Sequence, residues 1–328
     1  MKILAIRFAR LGDVILLLPA LVSLKNKFPD SDLTLLTGHR CASIAELCPA
    51  IDHVIAVDRV AMRDGPIWRA LREMASLLRN VRRQHFDVVV DFHSFRETNL
   101  LTLFSRAPLR LGMKRHKAPY WAFCFNRPPV AEDKTLHVAA MFQKVVASLP
   151  SGAIPANTSP AWSGVLGRVP VEKSNSPSIA FYVDAPVLER IWPPEQFAEV
   201  ADYAIEKLRA AVVVISSKQN AELAQRVRSA SRNRDRLSIL TDLNLPGLVR
   251  VIASANLLIS NDTGPMHIGP AVGVRTLGLF SVGYPEHFRP IGPDDKFLRA
   301  NPIKEIRVRD VIDVMEEMWA TADRGLQH

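Results

Sequence analysis

The sequence predicts an α/β protein made of two successive doubly wound domains, each a parallel sheet with helices on both faces. Three observations carry this. Short apolar runs alternate with helix-period segments in both halves of the chain. A Pro-, Ser- and Gly-containing stretch from Pro150 to Ser178 separates the halves. The chain has 328 residues, of which 48% are hydrophobic, enough to fill two cores. Apolar runs without polar alternation are what a strand covered on both faces requires, which points to parallel rather than antiparallel sheets.

The elements follow in order. Ile3–Phe8 reads as the first strand and ends in a Gly-containing loop. A helix comes next, with Val14, Leu17, Leu18, Leu21, Leu24 and Phe28 on one face. Leu33–Thr37, Val54–Val57 and Val88–Asp91 are further buried strands. Between the last two lies a helix, Ile67–Val81, that places Arg69, Arg72, Arg79 and Arg83 on one stripe and Ile67, Leu71, Met74, Leu78 and Val81 on the opposite one. The Pro150–Ser178 stretch reads as a linker, with the domains taken as 1–155 and 156–328. In the second half the strands are Ile179–Val183, Val212–Ile215, Leu237–Leu240, Leu257–Ser260 and Thr276–Phe280. Pro193 and Pro194 start a helix whose buried stripe runs from Phe197 through Val200, Ala201, Ala204 and Ile205 to Leu208. Asn220–Ala230 and Pro246–Ala255 are the next helices. The last helix carries Val311, Ile312, Met315, Met318 and Trp319 on one face and is a candidate for packing back on the first domain. Two such domains are expected to face a central cleft, with ligands at the C-terminal ends of the strands.

Composition narrows the function. The formal charge of +9 calls for an anionic partner: a nucleotide, a phosphorylated glycan, a membrane surface or nucleic acid. Binding to nucleic acid or another anionic polymer would need a recognised motif or rows of aromatic and basic residues, and neither is evident. A nicotinamide-dependent dehydrogenase would need Gly-x-Gly-x-x-Gly after the first strand, and Phe8–Asp13 holds only Gly12. Cys41, Cys48 and Cys124 lack metal-ligand spacing and read as buried reduced thiols. Lys2–Phe8 reads as a strand, and Arg10 and Asp13 interrupt the apolar run, so no secretory leader is expected. The expected location is cytoplasmic, with any membrane role peripheral, at the inner membrane face.

Two constellations can carry chemistry. In Arg7-Phe-Ala-Arg-Leu-Gly-Asp13, a carboxylate stands where the first strand gives way to the first helix. It serves there either as a helix cap or as a general base for a sugar hydroxyl that must lose its proton to attack an anomeric carbon. In Ser260-Asn-Asp-Thr-Gly-Pro-Met-His267, a strand runs into a helix starting near Pro265. Free N–H groups at such a turn suit a diphosphate, Gly264 permits close backbone approach, and Asp262 can accept hydrogen bonds from sugar hydroxyls. The alternative is an ordinary turn with a core His267.

At this point the chain resembles the ADP-heptose:lipopolysaccharide heptosyltransferases, glycosyltransferase family nine. The family's N-terminal signature, a basic residue followed by Gly-Asp-Val and a nearby Pro, is matched by Arg7, Gly12-Asp13-Val14 and Pro19. Its C-terminal signature is matched by Asp262-Thr263-Gly264 and His267. Arg190-Ile-Trp192-Pro193 is similar to its basic residue before Trp-Pro, and Glu222 to its Glu on the helix after the second strand of the second domain. The resemblance implies a GT-B fold of two Rossmann-like domains, an inverting transfer of a heptose-type sugar, and no required metal or other cofactor. It implies Asp13 as the base, Arg190 with Thr263–Gly264 on the donor diphosphate, Glu222 on the nucleotide ribose and Asp262 on the transferred sugar. His267 belongs to the same donor signature. The partners implied are a nucleotide-sugar donor and a lipopolysaccharide-type acceptor. Two stretches depart from the family: Asp184-Ala-Pro-Val-Leu-Glu189 replaces small hydroxyl or Gly residues, and Ser216-Ser-Lys-Gln-Asn220 replaces a Gly-containing turn. They leave open a degenerate protein that binds without turnover.

Thr98–Ala131 holds no acidic residue but contains Arg106, Arg110, Lys114, Arg115, Lys117 and Arg127, with Tyr120 and Trp121 between them. An acidic, phosphorylated acceptor suits such a loop, and Arg110, Lys114 and Arg115 are its candidate contacts. Arg7, Arg10 and His93 complete the expected acceptor side. His93 follows a strand end, where it reads as a structural histidine or as one that approaches the acceptor.

Overall fold

Alternation of apolar strands with one-sided helices yields two parallel sheets of six strands each. The computed structural model describes residues 1–58, 66–150, 162–170 and 176–324. These form two units, Met1–Ala161 and Trp162–His328. Of the Pro150–Ser178 stretch, residues 151–161 and 171–175 lie outside the described residues.

In the first unit the strands are β1 (Lys2–Arg7), β2 (Asp32–Gly38), β3 (His53–Val57), β4 (Val88–Asp91), β5 (Leu109–Lys114) and β6 (Val130–Ala131), in the order β3-β2-β1-β4-β5-β6. Its helices are α1 (Leu11–Ile15), α2 (Leu18–Lys27), α3 (His39–Ala45), α4 (Ile67–Arg83), α5 (Arg96–Ser105) and α6 (Val138–Ala147). The single first helix expected from periodicity is two: Pro19 sits in the first turn of α2, where its missing N–H is harmless, and the chain re-starts there. Leu4, Ile6, Leu36 and Val89 from the sheet pack with Val81, Phe86 and Leu101. Each such fully buried side chain contributes ~1.5–3 kcal/mol.

Two expectations are corrected here. The segment read as a basic loop contains β5 and a 3-10 turn, Ala122–Cys124. Only Leu111, Gly112 and Met113 of β5 are buried, and the flanking basic residues hid so short a core from the hydrophobic pattern. On α4, Val81 is buried and Ala70, Met74, Leu77 and Leu78 are half-buried, but Leu71 is 66% exposed beside Trp68 at 57%. The inward arc centres between Met74 and Val81, so Leu71 falls beyond its edge.

The second unit comprises β7 (Ser178–Tyr182), α7 (Pro194–Glu206), β8 (Ala211–Ile215), α8 (Ala221–Ala230), β9 (Leu237–Leu240), α9 (Leu245–Ser254), β10 (Leu257–Asn261), α10 (Ile268–Ala271), β11 (Arg275–Phe280), α11 (Pro285–Phe288), β12 (Lys296–Arg299) and α12 (Val308–Arg324). The order β12-β11-β10-β7-β8-β9 is that of the first sheet read from the opposite edge. The rings of Trp192, Phe181 and Phe197 form the centre of its core. The apolar face of α12 (Val311, Ile312, Met315, Met318 and Trp319) belongs to that same core, so the last helix completes its own unit. It does so because its apolar side chains extend the cluster formed by Phe197, Val200 and Ala201 on α7.

In each sheet the strand order reverses once, between β1 and β4 and between β7 and β10. In doubly wound sheets, ligands sit beyond the C-terminal ends of the strands at such reversals. Arg7, Asp13 and His93 lie at the first of these places, and Arg190 and Asp262 at the second.

Candidate functional sites at the two strand-order reversals

In the first unit β1 ends at Arg7, and the next strand, β4, pairs Asp91 with Ile6. Arg7 is buried, with its guanidinium 4.9 Å from the centroid of the Phe142 ring. Its Nη1 donates to the Phe92 carbonyl at 2.9 Å and its Nη2 to Asp13 Oδ1 at 3.0 Å. Burial lowers the Arg7 pKa, and the Asp13 charge pulls it back up. Asp13 is the third residue of α1, whose N-cap position is Arg10 and which has no side-chain cap. The capping reading of Asp13 is therefore set aside: the carboxylate is oriented by Arg7 and stays 30% exposed. Arg10 is exposed at the start of the same helix.

Asp91, at the end of β4, is fully buried and shapes the next turn. Its Oδ1 accepts from the backbone N–H groups of His93 (2.9 Å) and Ser94 (2.7 Å). These bonds help hold Ser94 in the left-handed region at φ 51°, an uncommon conformation away from glycine. Desolvation pushes the Asp91 pKa up to about 6 against the pull of those amides and of Arg7. His93 is buried between the rings of Phe8 and Phe95, at 5.7 and 4.4 Å. The Arg115 guanidinium lies 5.3 Å from the Phe95 ring centroid, and its charge is felt at Arg7. Lys114 is exposed at the C-terminal end of β5.

Arg110 departs from this group. It stands near the start of β5, at the opposite end of a parallel strand from Lys114. Its Nε donates to the Cys124 carbonyl at 3.0 Å and its Nη1 to the Ala107 carbonyl at 2.7 Å. A guanidinium bonded to two backbone carbonyls ties down the β5 flank, at the opposite end of the strand from Lys114.

In the second unit the loop after β7 carries Arg190 in a 3-10 turn, Leu188–Arg190. Arg190 Nη1 lies 3.2 Å from Asp262 Oδ2, with side-chain exposures of 34% and 8%. Burial raises the Asp262 pKa, and Arg190 offsets part of the rise. Asp262 and Thr263 follow β10 directly, and Gly264–His267 is a 3-10 turn leading to α10, which has four residues. The expected helix after Pro265 is thus two short turns, and its dipole contribution is correspondingly small. Thr263 and Gly264 are half-buried, and His267 is buried. Glu222 is exposed in the first turn of α8, after the strand next to β7.

Asn261 crosslinks this region. Fully buried, it accepts from the Trp192 backbone N–H at 3.1 Å and donates to the Val183 carbonyl at 2.9 Å. It thereby spans both ends of the loop that carries Arg190. Trp192 in turn donates from Nε1 to the Ile306 carbonyl at 3.0 Å, and Ser281 Oγ donates to the Glu189 carbonyl. A Cβ on Gly283 would collide with Asp262 Oδ2, so this glycine is what lets the carboxylate lie where it does. The divergent Asp184 is also accounted for: its carboxylate accepts from Ser217 N–H at 3.1 Å and from Asn220 Nδ2 at 2.6 Å, ordering the turn before α8 without a glycine.

The sequence model described as glycosyltransferase family 9 (heptosyltransferase) matches residues 74–316, most of the chain. The chain belongs to glycosyltransferase family 9. Lipopolysaccharide heptosyltransferase 1 of Pseudomonas aeruginosa is 25% identical over 85% of this chain and 78% of that protein. The lipopolysaccharide core heptosyltransferase OpsX of Haemophilus influenzae is 22% identical, over 87% and 80%. Among solved structures, the Escherichia coli heptosyltransferase WaaC with ADP superposes with a TM-score of 0.85 at 18% identity, covering 97% of this chain and all of that one. The GT-B fold implied by the sequence is therefore the fold of this family 9 protein.

Family membership fits what sequence reading found and exposes what it missed. Asn261, Gly283 and Asp91 were not singled out as site residues. Asn261 and Asp91 each left a trace, a polar residue closing an apolar strand. Gly283 lies in a Ser-Val-Gly-Tyr-Pro turn indistinguishable from any other. Among the described residues, no cluster of three or more His, Cys, Asp or Glu side chains has the arrangement of a metal site.

Proposed function

We propose that this glycosyltransferase is an inverting enzyme that moves a heptose-type sugar from ADP-heptose to a lipopolysaccharide core or related acceptor. The observation that carries the reading is the Asp13 carboxylate: uninvolved in capping, held through one oxygen by buried Arg7, and part-exposed. One oxygen fixed and the other free is what a general base needs. The acceptor hydroxyl oxygen forms the new bond to the anomeric carbon, its proton passes to Asp13, and the bond to the diphosphate oxygen breaks on the opposite face. ADP leaves with the electron pair.

The second unit takes the donor in this reading. Arg190 and the backbone N–H groups of Thr263–Gly264 meet the diphosphate, Asp262 the sugar hydroxyls and Glu222 the ribose, with His267 supporting the turn. Fixed positive charge aimed at the leaving group stabilises the charge that develops there and calls for no metal ion. The first unit takes the acceptor, through Arg7, Arg10, His93, Lys114 and Arg115. Support comes from solved relatives described with ADP and with ADP-2-deoxy-2-fluoro heptose, and from curated relatives named for lipopolysaccharide.

The test is direct. The chain is incubated with ADP-heptose and lipopolysaccharide core acceptor, with ADP release and product anomeric configuration measured with and without EDTA. Inverted product, formed equally in EDTA, is expected. No turnover, together with no thermal stabilisation by ADP, would sink the reading. Turnover lost in EDTA and restored by a divalent ion would remove its metal-free part.

A further inference from the structure

The outer face of α4 is at odds with an ordinary solvated helix. Trp68 and Leu71, three residues apart and therefore neighbours on the surface, are 57% and 66% exposed. Large apolar side chains seldom lie paired in water without a partner. Around them the helix carries Arg69, Arg72, Arg79, Arg82 and Arg83, all exposed, against the single acid Glu73. Trp68, Arg72, Ala75, Arg79 and Arg82 follow the three- and four-residue spacing of one face. The Arg69 guanidinium lies 5.3 Å from the Trp68 ring centroid. Among the described residues, none of the five arginines is ion-paired with an acid. The inward face is already used: Val81 belongs to the core of the first unit, with Leu77 and Leu78 packed against it.

We propose that this face of α4 docks the protein on an anionic phospholipid bilayer, with Trp68 and Leu71 entering the headgroup–acyl boundary and the arginines meeting lipid phosphates. The charge is complementary: a juxtaposed basic cluster is drawn to an anionic surface by an amount that grows with each Lys or Arg. The apolar pair selects the bilayer over a soluble polyanion. A phosphate polymer would neutralise the arginines but give Trp68 and Leu71 nothing to enter, whereas an interfacial helix combines basic and aromatic or aliphatic residues in this way. Among the described residues no helix is long and apolar enough to cross a membrane, so docking would be at the surface. The inference does not depend on the sugar, the nucleotide or turnover.

The experiment is co-sedimentation of the full chain with vesicles of pure phosphatidylcholine and of phosphatidylcholine with about one-third phosphatidylglycerol. Wild-type protein is expected to bind the mixed vesicles and to be released as salt is raised. Replacing Arg72, Arg79, Arg82 and Arg83 by Gln should lower the partition coefficient by about fivefold per arginine. The pair Trp68→Ser and Leu71→Ser should lower it by about tenfold or more, in proportion to apolar surface removed from the interface, with circular dichroism and melting temperature unchanged because both side chains already lie in water. Equal wild-type binding to both vesicle types, or none to either, overturns the proposal without recourse to a variant. So does tight binding to soluble polyphosphate accompanied by no effect of the Trp68 and Leu71 changes on vesicle binding, which would assign the face to an anionic polymer.

Discussion

The two strand-order reversals hold the same pair of residue types with their burial exchanged. At the first, buried Arg7 holds part-exposed Asp13 at 3.0 Å; at the second, buried Asp262 holds part-exposed Arg190 at 3.2 Å. In each pair the outer member is the more exposed one, and the inner one orients it. The first presents a carboxylate, able to accept a proton. The second presents a guanidinium, able to meet an anion. An internal repeat of architecture has thus been specialised by which partner of an ion pair is taken into the core, and the surroundings follow. Arg7 is anchored to a strand-end carbonyl and an aromatic ring, whereas Asp262 depends on Gly283 for space and Arg190 on the loop that Asn261 crosslinks.

The comparison is broken most directly at Asp13. Asp13→Asn keeps size and hydrogen-bond acceptance toward Arg7 but removes the base. The expected result is a fall in kcat of about 100-fold or more with ADP affinity unchanged, read by steady-state kinetics and calorimetry. Near-wild-type turnover would dissolve the distinction between the two pairs and move the base elsewhere, with His93 the next residue to test.

The mirror experiment is Arg190→Ala, expected to weaken ADP about 10- to 100-fold, the scale for losing a charge-assisted bond. Asn261→Leu should weaken ADP about tenfold in the wild-type background. If Asn261 acts through Arg190, the same change should have little further effect in Arg190→Ala. Additive losses would instead make Asn261 a general fold residue.

Smaller effects separate the two ends of β5. Arg110→Gln should lower the melting temperature by several degrees, the scale of ~1–2 kcal/mol for two lost part-buried bonds, with acceptor KM unchanged. Lys114→Gln with Arg115→Gln should raise acceptor KM several-fold with little change in melting temperature. The reverse pattern would restore Arg110 to the acceptor side.

The last effect is confined to a pH window and concerns the buried acid beside Arg7. Asp91 has its folded pKa raised to about 6 by burial. A carboxyl raised above its unfolded value binds its proton more tightly when folded, so its contribution favours folding at low pH and is lost as pH climbs from about 4 to about 6. Asp91→Asn retains an acceptor for the His93 and Ser94 amides and removes the titration. Its stability relative to wild type should rise over that window, by at most ~3 kcal/mol, in urea melts at a series of pH values. Asp295, also raised to about 6, is present in both proteins and cancels. A constant difference across the window would place the Asp91 proton elsewhere.

The sequence by itself determined the class of the protein and most of its strands, because buried parallel strands are written as local apolar runs such as Val88–Asp91 and Leu237–Leu240. It also located Asp13, Arg190 and Asp262, since strand-end positions follow from element order. What it could not determine was the partner of each group. Arg190 pairs with Asp262 because the loops after two neighbouring strands approach one another in space, and although Arg7 and Asp13 are only six residues apart, which member of each pair is buried depends on the packing around it. Asn261 bonds to groups 69 and 78 positions away, and Gly283 is needed only because Asp262 packs against it. Likewise Arg110 resembled its basic neighbours until β5 placed it near the start of a strand and Lys114 at the end. The spacing on α4 put Leu71 on the apolar stripe, but only packing against the core decided that the buried face stops short of it. Local pattern sets which elements form, because hydrogen bonding and periodicity are local; the burial that orients an ion pair is a property of the assembled core, and only the tertiary structure carries it.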